Sequence, residues 1–143
     1  MLQFMKTIAS IALIILFTMS CKSTQSLDPQ TGIVGKWSPT YITQTRLANG
    51  TFEPWQRINT LVALPVYEFT SDGKFLKDGR SGASCCYSGS NYSISDSNIL
   101  FTGLLVCPGV KCPSCAGWKI QEIKGDTLIL EECSARNKYV RIK

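Results

Sequence analysis

Beyond about residue 33, apolar residues in this 143-residue chain do not recur at helical spacing. They fall in short runs rich in β-branched and aromatic residues, punctuated by Gly, Asp, Asn and Pro. About eight such runs can be drawn, at 35–45, 61–70, 74–77, 87–94, 99–105, 118–123, 127–131 and 138–142. That spacing predicts an all-β domain, a small up-and-down antiparallel β-barrel of about eight strands. Pro65 lowers the strand character of the second run to an edge or a bulge. The stretch 48–59, with Pro54 and Trp55, is a long connection that the pattern does not assign.

The turns separate into two groups. Ser71-Asp72-Gly73, Ser95-Asp96-Ser97-Asn98 and Lys124-Gly125-Asp126 are tight hairpin signals, with Asp, Asn and Gly where positive φ is needed. Strict up-and-down alternation puts all three at one end. The longer connections 78–86, 106–117 and 133–137 then fall at the other end, and they hold Cys85, Cys86, Cys107, Cys112, Cys115 and Cys133.

The amino-terminal pattern is different. Lys6 precedes an uncharged, mostly apolar run of about 14 residues that ends at Ser20, and Cys21 follows. This is shorter than the roughly 20 residues a spanning helix needs, and it has the form of a signal-peptide core. The domain plan is therefore a leader at 1–20, Cys21 and a polar linker at 21–33, and the folded domain at 34–143. A plain secretory leader, or an uncleaved anchor, is the alternative.

Composition narrows the chemistry. Seven cysteines and no histidine occur in a chain that is 44% hydrophobic and 17% charged. Without histidine there is no Ser-His-Asp or Cys-His pair, no imidazole switch and no His-based zinc site. With Cys21 set aside, six cysteines in an oxidising compartment predict up to three structural disulfides whose pairing the sequence leaves open. Adjacent Cys85 and Cys86 point to opposite faces if extended, so different partners are expected. Two rival readings are a redox CxxC at Cys112-Pro113-Ser114-Cys115, and a thiolate zinc site from Cys107, Cys112, Cys115 and Cys133. The first lies in a Pro/Gly loop and not at a helix start. The second needs free thiolates in an oxidising setting. No catalytic residue, metal or cofactor is assigned, and Glu131-Glu132 reads as a strand-end pair with no partner.

Removing Lys6 with the leader lowers the net charge by one from +5. The remaining charges are scattered, which gives no nucleic-acid-binding stripe, although anionic envelope polymers stay open as weak partners.

The Ser20-Cys21 junction and the polar stretch after it resemble a bacterial lipoprotein signal. Thr18 departs from the aliphatic residue usual three positions before the cysteine. The resemblance implies acylation of Cys21 and a membrane partner through those acyl chains. With Lys22 next and no acidic run, it further implies an outer-membrane lipoprotein facing the periplasm.

Gly35-Lys36-Trp37 resembles the Gly-x-Trp motif that opens the first strand of lipocalins. Tyr67-Glu68-Phe69-Thr70-Ser71-Asp72-Gly73 and Trp118-Lys119-Ile120 onward are similar to small lipocalin-like envelope lipoproteins of the Bacteroidota type. The resemblance covers about residues 33 to 143. It implies a barrel floor of Gly35 and Trp37 with Arg141 packed across the indole, and a non-enzymatic module for a small apolar or amphipathic ligand. Plain core packing is the competing account of Trp37, Phe69, Tyr92 and Trp118. An alternative function is an envelope protein-interaction or inhibitor domain that uses the cross-linked loops.

Overall fold

A computed structural model of the chain describes residues 29–112 and 117–143. The leader, Cys21, Cys115 and residues 22–28 of the expected linker lie outside the described residues. Within that linker stretch, Pro29–Gly32 form one helical turn, α1, and Ile33 is fully buried.

The domain is all-β. Its strands are β1 (Gly35–Thr45), β2 (Gln56–Arg57), β3 (Tyr67–Phe69), β4 (Phe75–Lys77), β5 (Arg80–Ser81), β6 (Asn91–Ser95), β7 (Asn98–Thr102), β8 (Trp118–Lys124), β9 (Thr127–Glu132) and β10 (Ala135–Ile142). They form one antiparallel sheet in the order β5-β4-β3-β1-β10-β9-β8-β7-β6, nine strands along the path, with β2 paired to β1 beside it. The sheet curls into a half-barrel. The last strand returns to the first, and the opening falls between β5 and β6. Among the described residues one isolated bridge, Lys74 to Asn91, links the residue before β4 to β6 across this gap. There Phe75 N–H donates to Ser90 O at 2.9 Å and Tyr92 N–H to Gly73 O at 2.7 Å.

This differs in detail from the expected eight strands. The run at 61–70 contributes only Tyr67–Phe69, because Pro65 withholds a donor and the residues before it follow a loop. Two short strands, β2 and β5, were not expected. β2 lies in the connection at 48–59, whose other half is pinned by an Arg46–Phe52 bridge. Phe52 there packs under the Arg136 guanidinium, 3.8 Å from its ring centroid. Runs 87–94 and 99–105 also shorten, to β6 and β7.

Alternation along the strands sets the core. Trp37, Phe69, Phe75, Ile99, Leu128 and Leu130 are fully buried, and Trp118 and Tyr139 nearly so. Their rings interlock edge to face, with Phe75 and Trp118 5.4 Å apart at 85° and Phe69 and Tyr92 5.1 Å apart at 84°. Burying each large side chain contributes about 1.5–3 kcal/mol, and favourable ring geometry adds roughly 0.5–1.5 kcal/mol per pair. Trp55, by contrast, is a surface aromatic with Lys138 Nζ 5.5 Å from its centroid.

Candidate functional site

Two features of the half-barrel gather chemistry-bearing side chains: the loops that cover its opening, and a hollow beside the aromatic core. The opening is covered by residues 82–90, which run next to the continuation of β7. Gly89 is placed where any Cβ would stand 1.9 Å from Thr102 O, so only glycine permits that approach. Ser88 is fully buried and its hydroxyl donates to Gly82 O at 2.7 Å. Ser90 N–H donates to Gly103 O at 3.2 Å, and Leu105 N–H to Ser84 O at 3.1 Å.

Two disulfides fasten the same segments. Cys85 bonds Cys107 and Cys86 bonds Cys112, with Cα separations of 5.6 and 5.2 Å. The neighbouring cysteines thus take different partners, although they lie in a bend and not in an extended strand. Cys133 is also disulfide-bonded. Cys112 is therefore not half of a Cys112–Cys115 redox pair here, and Cys107, Cys112 and Cys133 are not free thiolates for zinc. Among the described residues, no group of three or more His, Cys, Asp or Glu could hold a metal ion.

At the other end, Gly35 has φ +133°, and an added Cβ would lie 2.5 Å from the Arg141 guanidinium. Trp37 is fully buried, and its indole N–H donates to Ile33 O at 2.7 Å. Arg141, opposite Trp37 in the β1–β10 ladder, places its guanidinium 4.2 Å from the ring centroid. Gly35, Trp37 and Arg141 are thus brought together.

The hollow was not legible in the motifs. Its base is formed by Glu132 and its neighbours. Leu128, Leu130 and Glu132 share the inward face of β9, whereas Glu131 points out, where its carboxylate meets Arg46, Arg136 and Gln121. The adjacent glutamates are therefore not an unpartnered pair. Each has its own setting, and the period of two in β9 is the signal that separates them.

Glu132 Oε1 accepts the Tyr139 hydroxyl in a short contact and Asn137 Nδ2 at 3.2 Å. Among the described residues, its Oε2 receives only the Tyr67 hydroxyl, at 3.4 Å. Burial raises the Glu132 carboxyl above its usual range, against the opposing effect of these donors and of nearby Lys77. Burial, with the Glu132 charge added, likewise pushes the Tyr67 and Tyr139 hydroxyls well above the usual phenol range. Lys77 lies opposite Tyr67 on β4, on the inward face, and its ammonium is shifted down by burial.

Two neighbouring cavities share Tyr67, Glu132 and Asn137 in their walls. One, of about 180 Å³, is walled by Pro39, Tyr41, Ile42, Ile58 and Leu64. The other, of about 330 Å³, is bounded by Lys77, Tyr87, Trp118 and Cys133. Tyr87 and Cys133 belong to cysteine-bearing loops, so the hollow borders the cross-linked end. The bulge in β1 between Pro39 and Ile42 helps shape the apolar wall. Tyr41 adopts φ 61° there, and its hydroxyl accepts Leu64 N–H at 3.3 Å.

No protein-family model matches the chain, and neither a curated protein nor a solved structure matches it.

Proposed function

We propose that this chain is a membrane-anchored, non-enzymatic binding module. In this reading it is a lipocalin-like barrel held by acyl chains on Cys21 at the periplasmic face of the outer membrane. It takes a small apolar or amphipathic ligand. The observation that carries the proposal is the paired hollow with an aliphatic wall and a polar base at Glu132 and Asn137. Ligand sites are commonly such largely apolar clefts, with a few convergent polar groups that fix orientation. The combined space suits one small molecule, because the rest of the interior is occupied by aromatic side chains. The absence of histidine from the sequence fits binding better than hydrolysis.

Native mass spectrometry of the full-length protein taken from its own envelope tests this reading. A bound species of small mass is expected, and Ile58→Trp, which narrows the aliphatic wall, should expel it. An empty protein from fresh envelope, or a bound species indifferent to Ile58→Trp, would reject the reading. Intact mass tests the anchor separately: residues 1–20 should be absent and Cys21 should carry acyl mass.

A second reading, an interaction or inhibitor surface, is favoured by one observation. Leu104, Leu105, Val106 and Val110 are exposed on loops that two disulfides hold rigid. Rigid loops lose little entropy on binding. Cross-linking in the envelope should capture a partner that Val106→Asp and Val110→Asp release. No such partner, or one indifferent to both changes, rejects this reading.

A further inference from the structure

Lys77 and Glu132 bring opposite charges to one hollow without pairing. Both bound the larger cavity. Among the described residues, the ion pairs within 4.0 Å do not include them, and no hydrogen bond from the Lys77 ammonium is present. That ammonium lies instead 5.9 Å from the Tyr67 ring centroid and 5.8 Å from that of Phe75. An ammonium offers three donors and a carboxylate about four acceptor sites. Glu132 Oε1 is used by Tyr139 and Asn137, while among the described residues Oε2 has only the long Tyr67 contact. Unused donor capacity on Lys77 and unused acceptor capacity on Glu132 thus face the same space, flanked by the rings of Tyr67, Tyr87 and Trp118.

A ligand with one charge suits this arrangement poorly. A lone cation near Glu132 also meets Lys77, and a lone anion near Lys77 also meets Glu132. A molecule carrying both charges a few bonds apart satisfies each.

We propose that the hollow takes a zwitterion, its ammonium on Glu132 and its anionic group on Lys77. An attached apolar group lies along Ile42, Ile58 and Leu64. The assignment rests on the binding-module reading and narrows it to a ligand class. Two sources share this chemistry: a free α-amino acid with an apolar side chain, and a phosphoethanolamine lipid headgroup.

Calorimetric titration of the full-length protein separates the outcomes. The zwitterionic probes are L-phenylalanine and dihexanoyl phosphatidylethanolamine below its micellar concentration. The single-charge controls are phenylethylamine and 3-phenylpropionate. At least one zwitterion should bind about tenfold or more tightly than either control, and which one binds identifies the source. Lys77→Gln should weaken the zwitterion by a similar factor while binding phenylethylamine better than the native protein does. Glu132→Gln should do the converse, gaining 3-phenylpropionate. Such gains cannot come from an unfolded variant. Controls that bind as tightly as the zwitterions, or variants that show no exchange of preference, overturn the zwitterion assignment and leave the module standing. Failure of all four probes, together with an empty protein in native mass spectrometry, removes both.

Discussion

The Arg141 guanidinium covers the face of the buried Trp37 ring at 4.2 Å and donates to the carbonyls of Val34 and Gly32, each at 2.6 Å. One side chain from the last strand thereby caps the first strand and holds the segment that leads into it. Planarity matters here: the fork serves two carbonyls while its face lies on the indole.

Replacing Arg141 by Ala should cost about 2–4 kcal/mol, from hydrogen bonds to a charged group and a cation–π contact. Arg141→Lys should recover only part of it, because an ammonium cannot stack and fork together. Urea unfolding followed by Trp fluorescence measures both. A loss below about 0.5 kcal/mol for Arg141→Ala would show the lid to be ornamental.

Removing either observed disulfide as a double Cys→Ser change should cost about 3 kcal/mol, given loops of 22 and 26 residues. A non-reducing peptide map should recover Cys85 with Cys107 and Cys86 with Cys112. If Cys21 carries the proposed acyl chains, Cys115 is the cysteine left for the disulfide-bonded Cys133, and the two should appear joined. Any other pairing contradicts the cross-linked cover.

Glu132 makes stability depend on pH. Its carboxyl titrates higher in the folded protein than the ordinary value of 4.5. Over the window between those values the folded state binds more protons than the unfolded one, so stability falls as pH rises. The contribution is fully present below about 4.5 and is lost as pH climbs through the raised value. Each unit of separation corresponds to about 1.4 kcal/mol. Glu132→Gln should therefore melt higher relative to the native protein at pH 8 than at pH 4. Parallel melting curves at both pH values would disprove the linkage.

Gly89→Ala should destabilise by about 1–3 kcal/mol or more, since its Cβ would overlap Thr102 backbone. Gly109→Ala has open space around it and only a positive φ of 80° to resist, so a loss nearer 1 kcal/mol is expected. Thermal melts of the two variants compare them directly. Equal losses would mean that segment 82–90 is not packed as described.

Much of the fold is legible in the sequence, for local reasons. Short runs of Trp, Ile, Leu and Thr between Asp-Gly and Asn turns indicate strands and hairpins, since turn chemistry and a period of two act over a few residues. Core assignments for Trp37, Phe69 and Trp118 follow from size and hydrophobicity. Glu132 does not stand out in the sequence, because a carboxylate beside another carboxylate at a strand end resembles a solvated pair. Its phase with Leu128 and Leu130 was the available signal. Lys77 gave none, as a lysine ending a three-residue strand usually points to water.

The sequence by itself determined that the domain is all-β, that its cysteines cluster in a few loops, and that Trp37 belongs inside. Only the tertiary structure decided where the curled sheet stays open, which cysteines fasten the segment that covers that opening, and that Lys77 on β4 shares a hollow with Glu132 on β9. The reason is range. Alternation and turns depend on neighbours in the chain, whereas these meetings depend on sheet curl and register accumulated over many strands.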